Sequence, residues 1–465
     1  MFDAAVASLS KDDSDYCLAM FASKRVRQMA HDSLAETGRF ERRRRCLPAL
    51  VVLWLVVMLA LHMSASIPNV YLRLRQAARA RWGRAEMPAV TDEALCHARS
   101  RLGVEPLVAL FKKTTQQITP VASLGGYNAY IIDGTSCDLP DTPENEARFG
   151  RPETSRGRAA FPQLKLVLLI HAATRQVKAV VILPCRTSEV AALPELLSHL
   201  AAGDLLLVDR GFAAYPLLRE CQERGIQVVM RINSGFKPVV TQRLGVGDYL
   251  VEGTYWEPIP PDQRVAKGRK TRPVTVKARL VVAWFRDKKH PLRLLTTLPA
   301  SAASAWDIAV GYHVRWEVEL AIDELKTHLA SVLHGSIHTV FRGKSPPMVL
   351  QEVYGLLAAY NLIRATMAEA AEVHGLDPLN LSFVGSLEVL RSSAPYLLVR
   401  PVEDWPELRV QLLRDIAACH LREPRRPKCY PRKVKRKMSN FQIKRPEDVG
   451  FTCHFKEEIV LYGPS

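Results

Sequence analysis

Three acidic residues, far apart along the chain, stand where carboxylates could be aimed at one substrate. Asp133 follows the apolar run Tyr130-Ile131-Ile132 and precedes Gly134-Thr135, and Asp209 follows Leu205-Leu206-Leu207-Val208 and precedes Arg210-Gly211. Each reads as the last residue of an apolar strand, so each carboxylate should emerge at a strand's end. Acids at the ends of adjacent strands can converge on hard cations, which take oxygen ligands and leave positions open for substrate phosphates. Either aspartate alone is weak, because a strand often ends in an Asp that only starts a turn or caps the next helix.

The third acid sits in a more informative pattern. Tyr312, Arg315, Glu319 and Lys326 are offset by 0, 3, 7 and 14 residues. At about 100° per residue they fall within roughly 60° of one another on a helix. Val314, Val318, Ala321, Ile322, Leu325 and Leu329 form an adjoining apolar stripe, which puts the polar face at the border of a core. An acid flanked by cations suits a phosphodiester, because metals manage the scissile oxygens while Arg and Lys hold neighbouring phosphates. The same residues also suit an exposed helix laced with ion pairs such as Asp323 with Lys326. Periodicity does not choose between Glu319 and Asp323, which share the face.

The elements that must position these residues follow from length, charge and period. A chain of 465 residues, 48% hydrophobic and 24% charged, has a globular balance and should divide into two to four structural units. Its net charge of +17 favours polyanions, nucleic acid first, through counterion release. Nine cysteines, an odd number without the paired spacing of a zinc site and without a cleavable secretion signal, read as reduced thiols in a cytoplasmic setting. Cys419-His420, Cys429 and Cys453-His454 are the residues from which a zinc site could otherwise be assembled. Leu47 to Met63, apolar after Arg42 to Arg45, superficially resembles a signal anchor. Its 17 residues lie at the bottom of the spanning range, and it reads as a buried helix with Pro48 in the first turn. No membrane association is expected.

Along the chain, residues 1–40 read as a weakly ordered, partly helical lead-in and 41–124 as a helical domain. Within the latter, Arg73, Arg75, Arg79, Arg81, Arg84, Arg99 and Arg101 suit either a DNA-binding unit or a solvated face. Residues 125–232 change period: strands over Tyr127 to Asp133, Leu164 to Ala172, Val177 to Leu183, Asp204 to Asp209 and Ile226 to Ile232, with helices over Glu189 to Ala202 and Tyr215 to Arg224. A β-rich insertion over 233–300 includes Val274 to Trp284 and Leu292 to Thr297. Long helices return in 301–375, from Trp306 to about Leu333 and from Pro347 to about His374. Residues 376–465 form a helical region and a basic tail, whose Arg422 to Arg445 run with Tyr430 and Phe441 suits a phosphate backbone more than idle solvation.

The spacing of Tyr312, Arg315, Glu319 and Lys326 resembles the YREK pattern of the insertion-sequence-four family of transposases, which belong to the DDE class. Asp133-Gly134-Thr135 and Asp209-Arg210-Gly211-Phe212 look like that family's first and second acidic motifs. Arg44-Arg45-Cys46-Leu47-Pro48, Ala98 to Gly103, Tyr360-Asn361-Leu362-Ile363-Arg364 and Lys435 to Ser439 also resemble family segments. The resemblance implies an α/β fold with an RNase H-like catalytic core, a β-rich insertion, a helical N-terminal domain and a basic C-terminal tail. It implies that Asp133, Asp209 and Glu319 are catalytic and hold Mg²⁺, with Mn²⁺ as a substitute. It implies that Tyr312, Arg315 and Lys326 bind DNA, and that the protein works as a homodimer on double-stranded DNA of element ends and target, at the bacterial nucleoid. Arg210, Arg231 and Trp316 are further candidate DNA contacts, and Trp256 or Trp284 could stack on a flipped base, although a tryptophan in an insertion is more often core. A nuclease of the same fold without strand transfer, or a DNA-binding regulator without catalysis, is the alternative.

Overall fold

The computed structural model describes residues 23–461 apart from 42, 44, 64, 83–88, 155–156, 264–269, 286–289, 330–340, 399, 401, 422–427, 430–452 and 455–458. The chain divides into two units. Unit 1 holds Met1–Pro120, Ile131–His199 and Trp316–His420, and unit 2 holds Val121–Tyr130, Leu200–Arg315 and Leu421–Ser465. Most of the expected basic tail lies outside the described residues.

Unit 1 opens with helices α1 (Lys24–Glu36), α2 (Ala49–Leu61), α3 (Ile67–Trp82), α4 (Asp92–Leu102) and α5 (Glu105–Thr115). Polar caps set two of the starts: the Ser23 side chain accepts from Val26 N–H, and Thr91 accepts from Ala94 N–H. Helix α2 is apolar all round and buries every residue but Met58, the pattern of a core helix. Pro48 is its N-cap rather than a first-turn residue. Among the described residues no helix is long and apolar enough to cross a membrane.

A sheet begins with β1 (Asn128–Asp138), which runs through both units, followed in unit 1 by α6 (Pro143–Phe149), β2 (Gln163–His171), β3 (Val177–Pro184), the 3₁₀ turn Glu189–Ala192 and α7 (Leu193–Leu197). The expected helix over Glu189 to Ala202 is thus two short pieces. Strands β2 and β3, both read from the sequence, form an antiparallel hairpin with Arg175 in its turn at φ 58°. Unit 2 continues with β4 (Asp204–Val208), α8 (Tyr215–Glu223) and β5 (Gln227–Arg231), and β4 pairs with β5 in parallel. Leu205 to Val208 are at most 1% exposed, which is why that run lacks polar alternation. The hydrogen-bonded order β3-β2-β1-β4-β5 is that of an RNase H-like core.

The β-rich insertion is in unit 2: β6 (Val239–Gly245), β7 (Asp248–Pro258), β8 (Thr271–Phe285) and β9 (Leu292–Thr296), joined in the order β5-β9-β8-β7-β6 through antiparallel pairs. Its β8 also pairs Ala283, Trp284 and Phe285 with Leu461, Val460 and Ile459 near the end of the chain. Helix α9 (Ala305–Gly311) closes unit 2's helical part, held by a Ser304–Asp307 capping box. Unit 1 resumes with α10 (Glu317–Asp323), α11 (Pro346–Val373), α12 (Phe383–Leu398) and α13 (Trp405–Ala418). Helix α11 crosses α2 closely, because a Cβ on Gly355 would lie 2.9 Å from Val56 Cγ1 and 3.2 Å from Val56 O.

Candidate active site

Asp133 does not terminate its strand, as the sequence suggested; β1 runs five residues further, to Asp138, so the aspartate is mid-strand. The reason is local: Gly134, Thr135, Ser136 and Cys137 keep an extended backbone that the abrupt end of the apolar run had disguised. Asp133 is half-buried, and its Oδ1 accepts the Gly134 N–H at 2.8 Å. Lys326 Nζ donates to Thr135 Oγ1 at 3.1 Å and to Ser136 O at 2.9 Å, so within unit 1 the last residue of the spaced pattern is tied to the strand just beyond Asp133.

The expected single helix from Trp306 is broken into four periods: α9, a 3₁₀ segment Tyr312–Trp316, α10, and a π turn Glu324–Leu329. Each change of period re-aims the side chains. Tyr312 and Arg315 are both buried, whereas Glu319 is exposed. In unit 2 the Tyr312 hydroxyl donates to Val208 O at 3.0 Å, which fixes the end of β4 immediately before Asp209. That hydroxyl is therefore engaged with backbone rather than held open for phosphate. The apolar stripe is as read: Val318, Ala321, Leu325 and Leu329 are buried, with Val314 and Ile322 half-buried.

Asp209 follows the end of β4, as expected. Its Oδ1 is buried and has no hydrogen-bond partner. A buried carboxylate oxygen without a donor is costly, and such an atom fits a site that a cation completes. Among the described residues no three His, Cys, Asp or Glu side chains stand close enough together to hold a metal by themselves. Magnesium does not need such a cage, since one or two carboxylates with waters and substrate phosphates complete its shell. The donor set of hard oxygens fits a divalent cation of that kind.

Other candidates are placed as follows. Arg210 is exposed beside Asp209, and Arg231 is exposed at the end of β5, opposite Leu294 of β9. Trp316 is half-buried at the end of the 3₁₀ segment, and Trp284 is half-buried in β8. Trp256 is 57% exposed on β7, which overturns its expectation as core. Arg99, grouped with the DNA-binding arginines, is instead buried, donating to Gln351 Oε1, Met348 O and Glu352 Oε1. Cys46, Cys96, Cys137, Cys185, Cys221 and Cys419 are free thiols.

A buried ion cluster behind α10 was not read from the sequence. Glu324, at the start of the π turn, accepts from Arg175 Nη1 at 2.7 Å, Arg364 Nε at 2.9 Å and the Tyr360 hydroxyl at 3.0 Å, and Arg175 also pairs with Glu317. Burial alone would raise the Glu324 carboxyl, but the charges of Arg364 and Arg175 with the hydrogen bonds from Arg364 and Tyr360 outweigh it and hold it below the usual range. Asn361, between the two α11 residues, receives Val177 N–H and donates to Val177 O and Thr114 Oγ1. The available signal was the Tyr360 to Arg364 segment, whose i,i+4 spacing puts phenol and guanidinium on one helix face.

Two known families match successive stretches of the chain. The family described as "Transposase DDE domain" matches residues 124–362, and "Insertion element 4 transposase N-terminal" matches residues 17–112. The chain is 29% identical over 414 residues to "Transposase InsG for insertion sequence element IS4" of Escherichia coli (strain K12), covering 86% of this chain and 88% of that one. It is 28% identical over 217 residues to InsZ of the same organism, covering 46% of this chain and 70% of that one. A cryo-EM structure of a piggyBac transposase synaptic complex with hairpin DNA matches with a TM-score of 0.43 at 13% identity, covering 89% of this chain and 86% of that one. Since the DDE domain alone takes in more than half of the sequence and the insertion-element-4 domain precedes it, this protein belongs to the insertion-sequence-four family of DDE transposases.

Proposed function

We propose that the protein cuts double-stranded DNA at the ends of its insertion element and joins those ends to target DNA, with Asp133, Asp209 and Glu319 as the ligands of its divalent ions. A DDE transposase domain implies a divalent metal cofactor; Mg²⁺, with Mn²⁺ as substitute, suits an all-carboxylate set. When bound, such ions activate water or a 3′-hydroxyl and stabilise the leaving oxygen. The chain's own residues do the positioning: Tyr312 holds the end of β4 and so the backbone that leads into Asp209, and Lys326 holds the strand beyond Asp133. Arg315, Arg210, Arg231 and Trp316 are the proposed DNA contacts. The partnerless buried Oδ1 of Asp209 is the observation that carries this reading.

In this reading two copies pair the two ends as a homodimer, in the bacterial cytoplasm at the nucleoid. The division into a helical N-terminal domain (41–124), a catalytic core (125–232 and 301–375), an insertion (233–300) and a C-terminal region (376–465) goes with it. The test is incubation of purified protein with its flanking genomic DNA and Mg²⁺ or Mn²⁺. Nicking at the ends and joining to a target plasmid are expected, and both should disappear in Asp209→Asn at unchanged melting temperature. Nicking by Asp209→Asn at the wild-type rate would refute the assignment, and nicking without joining would favour a nuclease.

A further inference from the structure

Arg175 holds the turn between β2 and β3 in a backbone conformation that its type disfavours. Its φ of 58° lies in the left-handed region, where glycine or asparagine is the ordinary choice, and among the described residues no other non-glycine residue has a positive φ. The turn imposes it: Arg175 N–H donates to His171 O at 2.9 Å, and His171 N–H donates to Gln176 O at 2.9 Å. Strain of this kind persists where the surroundings over-determine a residue. Here they do so through the side chain, which is 6% exposed.

The guanidinium spans two carboxylates of the segment that carries Glu319. Arg175 Nε donates to Glu317 Oε2 at 2.6 Å, and Nη1 donates to Glu324 Oε1 at 2.7 Å. Glu324 is the C-cap of α10 and keeps helical φ and ψ, so the two acids stand about 20° apart around the helix axis. One guanidinium therefore grips the helix from behind at both of its ends. Glu319, two residues beyond Glu317, is turned about 200° from it and is exposed. Rotation of α10 about its axis is what aims Glu319, and the grip fixes that rotation.

Neutralising Glu324 does not call for Arg175. Arg364 already donates to that carboxylate through Nε at 2.9 Å and through Nη2, and the Tyr360 hydroxyl adds a bond at 3.0 Å. Beyond Glu324, Lys326 ties the π turn to Thr135 and Ser136 of β1, so Glu319 stands between two anchors.

We infer that Arg175 is a positioning residue for the metal site, setting the direction of the Glu319 carboxylate by gripping Glu317 and Glu324 together. The inference rests on the reading of Glu319 as a metal ligand, and the experiment separates the two. Nicking of the flanking genomic DNA is titrated with Mn²⁺ for the full-length wild type, Arg175→Lys, Arg175→Gly, Glu317→Gln and Glu319→Gln, well below each melting temperature. Metal-free DNA affinity is followed by fluorescence anisotropy alongside. Arg175→Lys keeps the charge and loses the fork that reaches both acids, whereas Arg175→Gly removes the side chain and suits the turn's φ. Both are expected to raise the half-saturating Mn²⁺ about 10- to 100-fold, the size seen when a group that orients a metal ligand is changed. Glu317→Gln opens one arm of the grip and should shift Mn²⁺ in the same direction. Metal-free DNA affinity should stay near that of the wild type in all three. A residue that only held the fold together would lower the melting temperature and leave the metal requirement of folded molecules unchanged.

A wild-type Mn²⁺ requirement in the folded Arg175 variants, or in Glu317→Gln should neither fold, with nicking lost in Glu319→Gln, overturns the role of Arg175 and leaves Glu319 standing. Nicking by Glu319→Gln at the wild-type rate, or no metal-dependent nicking by the wild type, overturns the underlying reading and this inference with it.

Discussion

Glu324 shows how much a single buried side chain can decide. It is 3% exposed and is the acid on which Arg175, Arg364 and Tyr360 converge. Removing its charge leaves the Arg364 guanidinium buried without its anionic partner and Arg175 with Glu317 alone, so Glu324→Gln should destabilise the protein by about 3–5 kcal/mol, read from urea unfolding at neutral pH. A loss under about 1 kcal/mol would show that the cluster relaxes or hydrates freely. Because the carboxyl is held below its ordinary range, its stabilisation is present above the unfolded value and is lost only as pH falls through the folded one. The sequence displayed Asp133, Asp209 and the spaced Tyr312, Arg315, Glu319 and Lys326, whose types and spacing are local facts. It did not display Glu324, because its partners lie 36 residues or more away, and the i,i+4 pair Tyr360 and Arg364 does not name the acid it meets.

Elements were legible where a single period runs unbroken. Helices α2 and α11 and strands β4, β5 and β9 fall within a few residues of the reading from apolar pattern alone. The segment from α9 to the π turn was not, because the choice among i+3, i+4 and i+5 hydrogen bonds is made by what the side chains grip: Tyr312 on Val208 O, Glu324 on its arginines, Lys326 on Ser136 O. The end of α2 makes a testable case of the same dependence. His62, its C-cap, accepts at Nδ1 from Arg73 Nη1 at 3.1 Å. Burial first, then the charges of Arg73, Arg391 and Arg342, lower it from 6.5 to about 4. A depressed histidine stabilises the fold while it is neutral in both states. Stability should therefore fall as pH drops from about 6.5 towards about 4, and be restored above that window. Buried His171, also lowered to about 4, adds to the same slope. Unfolding free energies measured across this range should lose part of their slope in His62→Gln; an unaltered slope would place the acid sensitivity elsewhere.

At the scale of the whole molecule, charge rather than shape makes the boldest statement. With a net charge of +17, DNA binding should be dominated by counterion release. Affinity for an arbitrary duplex, followed by fluorescence anisotropy, is expected to drop at least about 100-fold between roughly 50 and 200 mM salt. Binding insensitive to salt would contradict a phosphate-tracking surface. The sequence by itself determined the class of partner, the α/β character and the presence of an insertion, and it proposed the three motif acids, because charge, apolar period and residue spacing are properties of the chain read in order. Only tertiary structure decided that Asp133 lies mid-strand, that Arg99 belongs to the core, that Tyr312 holds backbone and that Arg175 meets both Glu317 and Glu324. Each of those depends on which distant segment fills the space beside a residue, and close packing settles that only when every segment is in place.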